Sequence, residues 1–341
     1  MRGMLRGYRR SRSARRVGAV LAAHAVVGAV AVCLSVFWLP ASAARAAGLD
    51  LSSAEPPAIP LATDDALSMN EAESLSAGEA LSFSRLLSAG TVSEWTHVQQ
   101  VVAWLRYRLP QRRVVYLFGG SAARESIVSE SSWKAQVKAL SGRSAVTYVV
   151  SSRCQTFPED LRIINRLPKG RGIALISVGT TRLTMLHKSG WVSSTSTRTS
   201  PPDPWYQHHY DGSVRLSAAE KRQLVRVWLR DRYGVFLARY PDRMVELEAL
   251  VQACKARGVR PVLLEMPLNL PVIRHDFDKA RVMYQKGCLE LAAKYDIKYL
   301  RFVSKIGLRG TDFYDLQHLL PSGRSKWQTR LSRELVWQRL L

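Results

Sequence analysis

The fold that we predict for this 341-residue chain rests on the sequence VVYLFGGSAARE at residues 114–125. It begins with five consecutive apolar or aromatic residues, two of them β-branched, which indicate a fully buried parallel strand. The two glycines and the serine that follow, and then AARE, indicate a turn into a helix. In open α/β sheets ligands bind outside the carboxyl ends of the strands, where helix N-termini offer free backbone N–H groups. Ser121 is therefore a candidate nucleophile, although serine is also an ordinary N-cap.

The remainder of the chain alternates between strand-like and helix-like segments. Four further strands are predicted at 145–150, 173–178, 260–266 and 297–302. Helices are predicted at 95–109, 131–140, 157–167, 218–233, 244–256 and 278–295, and from about 322 to the C-terminus. This alternation predicts an α/β fold in which helices cover both faces of a mostly parallel five-stranded sheet.

The N-terminal region has the pattern of a membrane anchor. Residues 1–16 contain seven arginines and no acid, and residues 17–39 are almost uninterruptedly apolar. About 20 apolar residues span a bilayer as a helix, and basic flanks stay in the cytoplasm. We expect a basic cytoplasmic tail, a single transmembrane helix in the cell membrane and an extracytoplasmic remainder. The sequence ASA at 41–43 also fits a cleavage site, so secretion after removal of a signal peptide is the alternative.

Two other regions stand apart from the strand and helix pattern. Residues 40–90 are rich in Ala and Ser, carry seven acids and no base between 46 and 84, and predict a flexible linker. The rest of the chain, 91–341, is the predicted folded domain. It contains an irregular insertion at about 181–242, where a long loop at the ligand-binding edge of the sheet predicts a lid. The candidate lid residues are Trp205, Tyr206, His208 and His209.

The composition narrows the possible partners. The formal net charge is +23, yet we find no zinc-ligand spacing, RNA-binding aromatic pattern or basic helical repeat, so nucleic acid is not expected. The charge favours an anionic membrane surface or an anionic envelope polymer. The cysteine spacings are no metal signature, and the adjacent side chains of His208 and His209 point apart, so no metal site is predicted.

A second informative stretch is DFYDLQHLLPSGR, residues 312–324, which follows the last predicted strand. Asp315 and His318 are three residues apart, so one turn can bring the carboxylate against the imidazole. The carboxylate would set the imidazole tautomer and stabilise the imidazolium that forms when the ring takes a proton. Since Ser121 follows the first strand and this pair follows the last, a doubly wound sheet would bring the three side chains together.

With these residues the sequence resembles the SGNH (GDSL-type) hydrolases over roughly residues 113–341. The resemblance lies in GGS at 119–121, in the five-strand alternation and in DLQHL at 315–319 before a C-terminal helix. It is greatest with membrane-anchored envelope members that hydrolyse or transfer O-acyl groups on cell-surface polymers. It implies a three-layer α/β/α sandwich, with Ser121 as nucleophile, His318 as general base and Asp315 as its orienting group. It implies no cofactor and no metal.

The sequence departs from the family pattern at the oxyanion hole. Family members use the N–H of the nucleophile, a glycine N–H after the second strand and an asparagine side chain after the third. The corresponding segments here are SSRCQ at 151–155 and SVGTTR at 177–182, which lack that glycine and that asparagine. Loss of one such donor typically costs about 10²–10³ in rate. The remaining candidates are Ser121, Cys154, Gly179, Thr180, Thr181 and Asn269.

Two functional hypotheses follow from this pattern. The first is an extracytoplasmic serine esterase or O-acyltransferase that acts through an acyl-enzyme on O-acyl groups of an envelope polymer or lipid. The second is a catalytically degenerate protein of the same fold that binds a glycan or an envelope partner. The missing glycine and asparagine favour the second hypothesis, whereas the retained serine, aspartate and histidine favour the first.

Overall fold

The structure is a computed structural model that describes residues 94–106, 108, 112–170, 172–185 and 199–341. The predicted basic tail (1–16), the apolar segment (17–39) and the linker (40–90) lie outside the described residues, and so does part of the insertion, 186–198. Among the residues described, no helix is both long enough and apolar enough to cross a bilayer.

Five strands and ten α-helices alternate along the described residues. The strands are β1 (Arg113–Gly119), β2 (Ala145–Ser151), β3 (Gly172–Val178), β4 (Arg260–Glu265) and β5 (Lys298–Leu300). The helices are α1 (Glu94–Leu105), α2 (Ser121–Arg124), α3 (Glu130–Ser141), α4 (Phe157–Ile164), α5 (Thr180–Thr184), α6 (Ala218–Val227), α7 (Tyr233–Ala256), α8 (Leu270–Ile273), α9 (Asp278–Tyr295) and α10 (Pro321–Trp337). Short 3₁₀ turns lie at Val303–Lys305 and Gly310–Asp312.

All five strands are parallel and form one sheet in the order β2-β1-β3-β4-β5. The predicted α/β fold with a parallel five-stranded sheet is therefore confirmed. The order reverses at β1, because β2 lies on one side of it and β3 on the other. Such a reversal leaves a crevice outside the carboxyl ends of the strands. Ser121 begins α2 at that end of β1.

Helices cover both faces of the sheet. Val114, Tyr116 and Phe118 of β1 pack in a core with α1, α4, α7 and α9. The alternate residues Val115 and Leu117 pack on the opposite face with α3 and α10. Because successive side chains of a strand point to opposite faces, a continuous apolar run such as VVYLF supplies both cores at once. The result is the three-layer α/β/α arrangement.

The insertion is more helical than its sequence predicts. The helices expected at 218–233 and 244–256 form one nearly continuous run, in which a π-helical turn at Trp228–Arg232 joins α6 to α7. Helix α7 continues through Pro241, whose ring normally breaks a helix because it lacks an N–H and crowds the preceding turn. The buried side chains of Phe236, Leu247 and Leu250 pack in the core, and this tertiary packing outweighs the local preference. Strand β5, at the sheet edge, is shorter than predicted.

The three cysteines of the described residues are free thiols. Cys254 and Cys288 are buried in helices α7 and α9, whereas Cys154 is exposed. Burial raises the pKa of Cys288 to about 12, so this thiol stays protonated and unreactive at neutral pH.

Candidate active site

The turn after β1 presents Ser121 at the edge of the sheet. Gly119 ends the strand, Gly120 is the N-cap of α2, and Ser121 is the first helical residue, half-buried. The position of Gly119 requires glycine, because a Cβ there would lie 2.1 Å from Ser177 Oγ and 2.7 Å from the Cβ of Ala123. Close packing of β1, β3 and α2 therefore sets where the Ser121 hydroxyl points.

The structure brings the three sequence-predicted residues together. Ser121 Oγ lies 2.8 Å from His318 Nε2, and His318 Nδ1 lies 2.7 Å from Asp315 Oδ2. An ionised carboxylate only accepts hydrogen bonds, so the ring proton belongs on Nδ1 and Nε2 is left to accept the Ser121 hydroxyl proton. This arrangement activates a serine hydroxyl as a nucleophile.

Backbone hydrogen bonds hold the Asp315 carboxylate in place. Its Oδ1 accepts from the backbone N–H groups of Gln317 at 2.9 Å and His318 at 2.8 Å. Burial by itself would raise the pKa of Asp315, but the adjacent His318 and these two donors outweigh it and hold the pKa below its ordinary value. Asp315 is therefore an anion at neutral pH, as its role beside an imidazole requires.

The loop around the histidine is closed by its own backbone. Phe313 pairs with Leu319 in an antiparallel bridge, and the N–H of Tyr314 donates to the carbonyl oxygen of His318 at 2.8 Å. The loop leads directly into α10, which begins at Pro321. His318 is itself buried, with 8% of its surface exposed. The imidazole therefore sits in a fixed loop.

Sequence reasoning missed the aromatic ring that covers the histidine. The ring of Tyr210 lies 4.9 Å from the ring of His318 and stacks on Tyr314 at 4.3 Å, measured between ring centroids. Tyr210 belongs to the insertion, more than one hundred residues before His318. The insertion is rich in aromatic residues, and this is the signal in the sequence that could point to a ring near the site. It does not distinguish Tyr210 from its aromatic neighbours.

A buried carboxylate next to the nucleophile helix anchors the same part of the insertion. Glu125 is fully buried and lies 2.9 Å from Arg124 Nη2 and 2.8 Å from Arg324 Nη2. It also accepts from the backbone N–H of His209 at 3.0 Å, and Arg324 donates to the carbonyl oxygen of Tyr210. Burial would raise the pKa of Glu125, but the hydrogen bond from His208 and the positive charges around it hold the pKa well below its ordinary value.

The candidate lid residues have different environments. His208 Nε2 lies 3.0 Å from the carbonyl oxygen of Val128, and its Nδ1 lies 3.2 Å from Glu125 Oε2. Tyr206 is 64% exposed, and His209 is exposed as well. His208 is thus part of the anchor, while Tyr206 and His209 face solvent.

Trp205, the fourth candidate lid residue, packs against α3. Its side chain is buried, with 6% exposed, and its ring lies 5.5 Å from that of His97 between centroids. Its backbone N–H donates to Glu130 Oε2 at 2.9 Å, and its carbonyl oxygen accepts from the Glu130 N–H at 2.8 Å. An indole gains more free energy from burial in this core than from contact with water, so Trp205 fastens the insertion to α3.

Five of the oxyanion-hole candidates lie after one of the first three strands. Ser121 and Cys154 are on the turns that follow β1 and β2, and Cys154 has a left-handed backbone with φ 57°. Gly179 and Thr180 follow β3, where Gly179 is the N-cap of α5 and Thr180 is buried. Thr181 is half-buried, and its hydroxyl donates to Oε1 of Gln317 at 2.6 Å.

Asn269, the remaining oxyanion-hole candidate, lies under the loop that carries the Asp315–His318 pair. Asn269 is fully buried, and its Nδ2 donates to the carbonyl oxygen of Asp315 at 2.9 Å. Its backbone N–H donates to the carbonyl oxygen of Leu316, also at 2.9 Å. Through these two hydrogen bonds Asn269 supports the loop that carries Asp315 and His318.

A buried ion pair fixes the short helix that carries Thr181. Arg182 lies 2.8 Å from Asp160 and donates to both the carbonyl oxygen and the hydroxyl of Ser177, at 3.2 and 3.1 Å. Arg182 and Asp160 are both buried, and Gln155 donates a further hydrogen bond to Asp160 at 2.5 Å. Helix α5 is therefore tied to β3 and α4, which holds the adjacent hydroxyl of Thr181 in place.

No family model and no curated protein matches the chain. Among solved structures it is similar to the acetylxylan esterase Axe2 of Geobacillus stearothermophilus, with 12% identity, a TM-score of 0.42, and coverage of 65% of this chain and 94% of that one. A member of the lipolytic G-D-S-L family from Veillonella parvula matches with 12% identity, a TM-score of 0.39, and coverage of 67% and 99%. The Bacillus subtilis protein YxiM matches with 12% identity and a TM-score of 0.37 over 67% of this chain, which spans 58% of the YxiM chain. Each of these similarities has a TM-score below 0.5.

Proposed function

We propose that this protein is a serine esterase that acts through a covalent acyl-enzyme, with Ser121 as nucleophile, His318 as general base and Asp315 as the group that orients it. The observation that carries the proposal is the continuous chain of contacts from Ser121 Oγ to His318 Nε2, at 2.8 Å, and from His318 Nδ1 to Asp315 Oδ2, at 2.7 Å. A half-buried serine hydroxyl against an oriented imidazole is the arrangement that nucleophilic acyl transfer needs.

The reaction follows from the proton positions. His318 Nε2 takes the proton of the Ser121 hydroxyl as the oxygen attacks the ester carbonyl carbon. The tetrahedral intermediate collapses, the bond to the alcohol oxygen breaks, and the imidazolium gives its proton to the departing alcohol. In the second half His318 deprotonates a water molecule or an acceptor hydroxyl, which attacks the acyl-enzyme. Ser121 then leaves with the proton, and either a carboxylic acid or a new ester is released.

The sequence supports the wider setting of this activity. The arginine-rich residues 1–16 and the apolar residues 17–39 favour a single-pass anchor in the cell membrane with the esterase domain outside the cytoplasm. The net charge of +23 favours an anionic envelope polymer or lipid as the carrier of the ester. Transfer of the acyl group to a sugar hydroxyl needs the same residues as hydrolysis, and only the acceptor differs.

The test uses the full chain purified in detergent. We expect hydrolysis of p-nitrophenyl acetate and covalent labelling by a fluorophosphonate, both abolished in Ser121→Ala. Ser325→Ala, which removes an exposed serine of α10, is the matched control and should behave as the wild type. The absence of both labelling and hydrolysis in the wild-type protein would contradict the esterase and favour a glycan-binding or partner-binding role.

A further inference from the structure

A side-chain hydrogen bond joins the short helix after β3 to the loop that carries His318. Thr181 lies after β3, the neighbour of β1 on one side, and Gln317 directly precedes His318, whose imidazole contacts Ser121. The Thr181 hydroxyl donates to Oε1 of Gln317 at 2.6 Å. The Gln317 side chain is therefore held where this loop meets helix α5.

This bond leaves the donor end of the Gln317 amide available. A glutamine carboxamide has one acceptor oxygen and an NH₂ group with two donors. The oxygen is engaged by Thr181, and within the described part of the chain the NH₂ group contacts no acceptor. Gln317 is half-buried, so part of this residue is exposed to solvent. In contrast, the amide of Asn269 is fully buried and already donates to the Asp315 carbonyl.

We propose that Gln317 is a catalytic residue whose side-chain amide donates a hydrogen bond to the oxyanion, and that Thr181 is the positioning residue that orients it. The proposal rests on the esterase function proposed above. The negative charge of the tetrahedral intermediate develops on an oxygen attached to the carbon that Ser121 Oγ attacks, beside His318. Gln317 directly precedes His318 in the same loop, and Thr181 lies in the short helix that follows β3. Together the two side chains fill the role for which this sequence has no asparagine after its third strand.

The chemistry suits a neutral donor. An amide N–H aimed at the developing oxyanion stabilises the transition state more than the uncharged ester carbonyl, so it acts on kcat rather than on KM. It carries no proton that the reaction consumes, and His318 remains the only base. Removal of Gln317 should therefore slow acylation without changing the pH dependence set by His318.

The experiment compares variants of the full chain in detergent on p-nitrophenyl acetate. Gln317→Met keeps the length of the side chain but has no donor, and we expect kcat/KM to fall by about 10²–10³. Inhibition by an aryl trifluoromethyl ketone, which forms a tetrahedral adduct with the serine, should weaken in parallel. Gln223→Met is the matched control, since Gln223 is an exposed glutamine of α6 whose Oε1 also accepts one hydrogen bond, from Arg226 at 2.9 Å.

Thr181 is tested separately as a positioning residue. Thr181→Val should lower kcat and leave KM unchanged, whereas Thr181→Ser should have the wild-type kcat because it keeps the hydroxyl. In a Gln317→Met background, Thr181→Val should cause little further decrease in kcat. Thermal midpoints close to wild type will show that each variant is folded.

Three outcomes would overturn the assignment, and they are distinguishable. If Gln317→Met keeps the wild-type kcat/KM while Ser121→Ala is inactive, Gln317 is not an oxyanion donor. The proposed esterase function would then still stand. If kcat falls in Thr181→Val but not in Gln317→Met, the Thr181 hydroxyl would be the donor to the oxyanion instead. A wild-type protein that neither hydrolyses the ester nor reacts with a fluorophosphonate would overturn both the esterase function and the role of Gln317.

Discussion

Asp315→Asn isolates the contribution of the carboxylate behind the imidazole. In the wild type, Asp315 Oδ2 accepts from His318 Nδ1 at 2.7 Å, while Oδ1 accepts from the backbone N–H groups of Gln317 and His318. An asparagine can keep the two backbone contacts through its oxygen. Its NH₂ group would then face Nδ1 as a donor, which forces the ring proton onto Nε2 and points it at Ser121.

The wrong tautomer removes the general base, because Nε2 can no longer accept the serine proton. In a serine triad this change typically lowers kcat by about 10⁴, which corresponds to about 5.4 kcal/mol of transition-state stabilisation. The free energy of unfolding should change far less, since the loop keeps its backbone bridge between Phe313 and Leu319. Asp315→Asn should therefore lose activity while it keeps most of its stability.

The assay measures kcat for p-nitrophenyl acetate with the full chain in detergent, together with the thermal midpoint. The chain offers a matched control in His275 and Asp278, which have the same separation and an Nδ1 to Oδ2 distance of 2.8 Å. His275 is 95% exposed, and Asp278→Asn should leave kcat unchanged. If Asp315→Asn retained kcat within tenfold of wild type while folded, the carboxylate would not set the tautomer and the triad reasoning would be wrong.

Three further changes test the surroundings of the triad. Gly119→Ala should lower the thermal midpoint and the activity, because the new Cβ would lie 2.1 Å from Ser177 Oγ. Overpacking of this kind lowers the free energy of unfolding by about 1–3 kcal/mol, and a variant with a wild-type midpoint and activity would contradict this expectation. Glu125→Gln should lower the free energy of unfolding at pH 7 by about 3 kcal/mol in urea titrations, since it leaves buried guanidinium groups without their anion. Because the folded-state pKa of Glu125 is depressed, its stabilisation is present above the ordinary carboxyl pKa of about 4.3 and is lost as the pH falls below it, so the difference between the two proteins should shrink in acid. Tyr210→Phe should keep kcat, whereas Tyr210→Leu should lower it roughly fivefold by removing a ring pair with His318 worth about 1 kcal/mol. Equal kcat in the two variants would exclude a role for the ring.

The class of fold and the three residues of the candidate triad could be predicted from local patterns in the sequence. The apolar run at 114–118, the glycines after it and the alternation of strands with helices are local patterns, and a parallel sheet is their consequence. In such a sheet the residues that follow the strands gather at one edge. Ser121 and the Asp315–His318 pair could therefore be assigned to one place without coordinates.

Which other side chains surround the triad depends on the tertiary packing. Tyr210 covers His318, Glu125 anchors the insertion and Thr181 meets Gln317 across long sequence separations. Packing also carried one helical run through Pro241, against its local preference. Polar side chains such as Asn269 and Gln317 can serve many partners, and which partner each one takes depends on how the loops pack. That choice depends on distances and angles between segments far apart in the chain, which residue types and spacings do not encode.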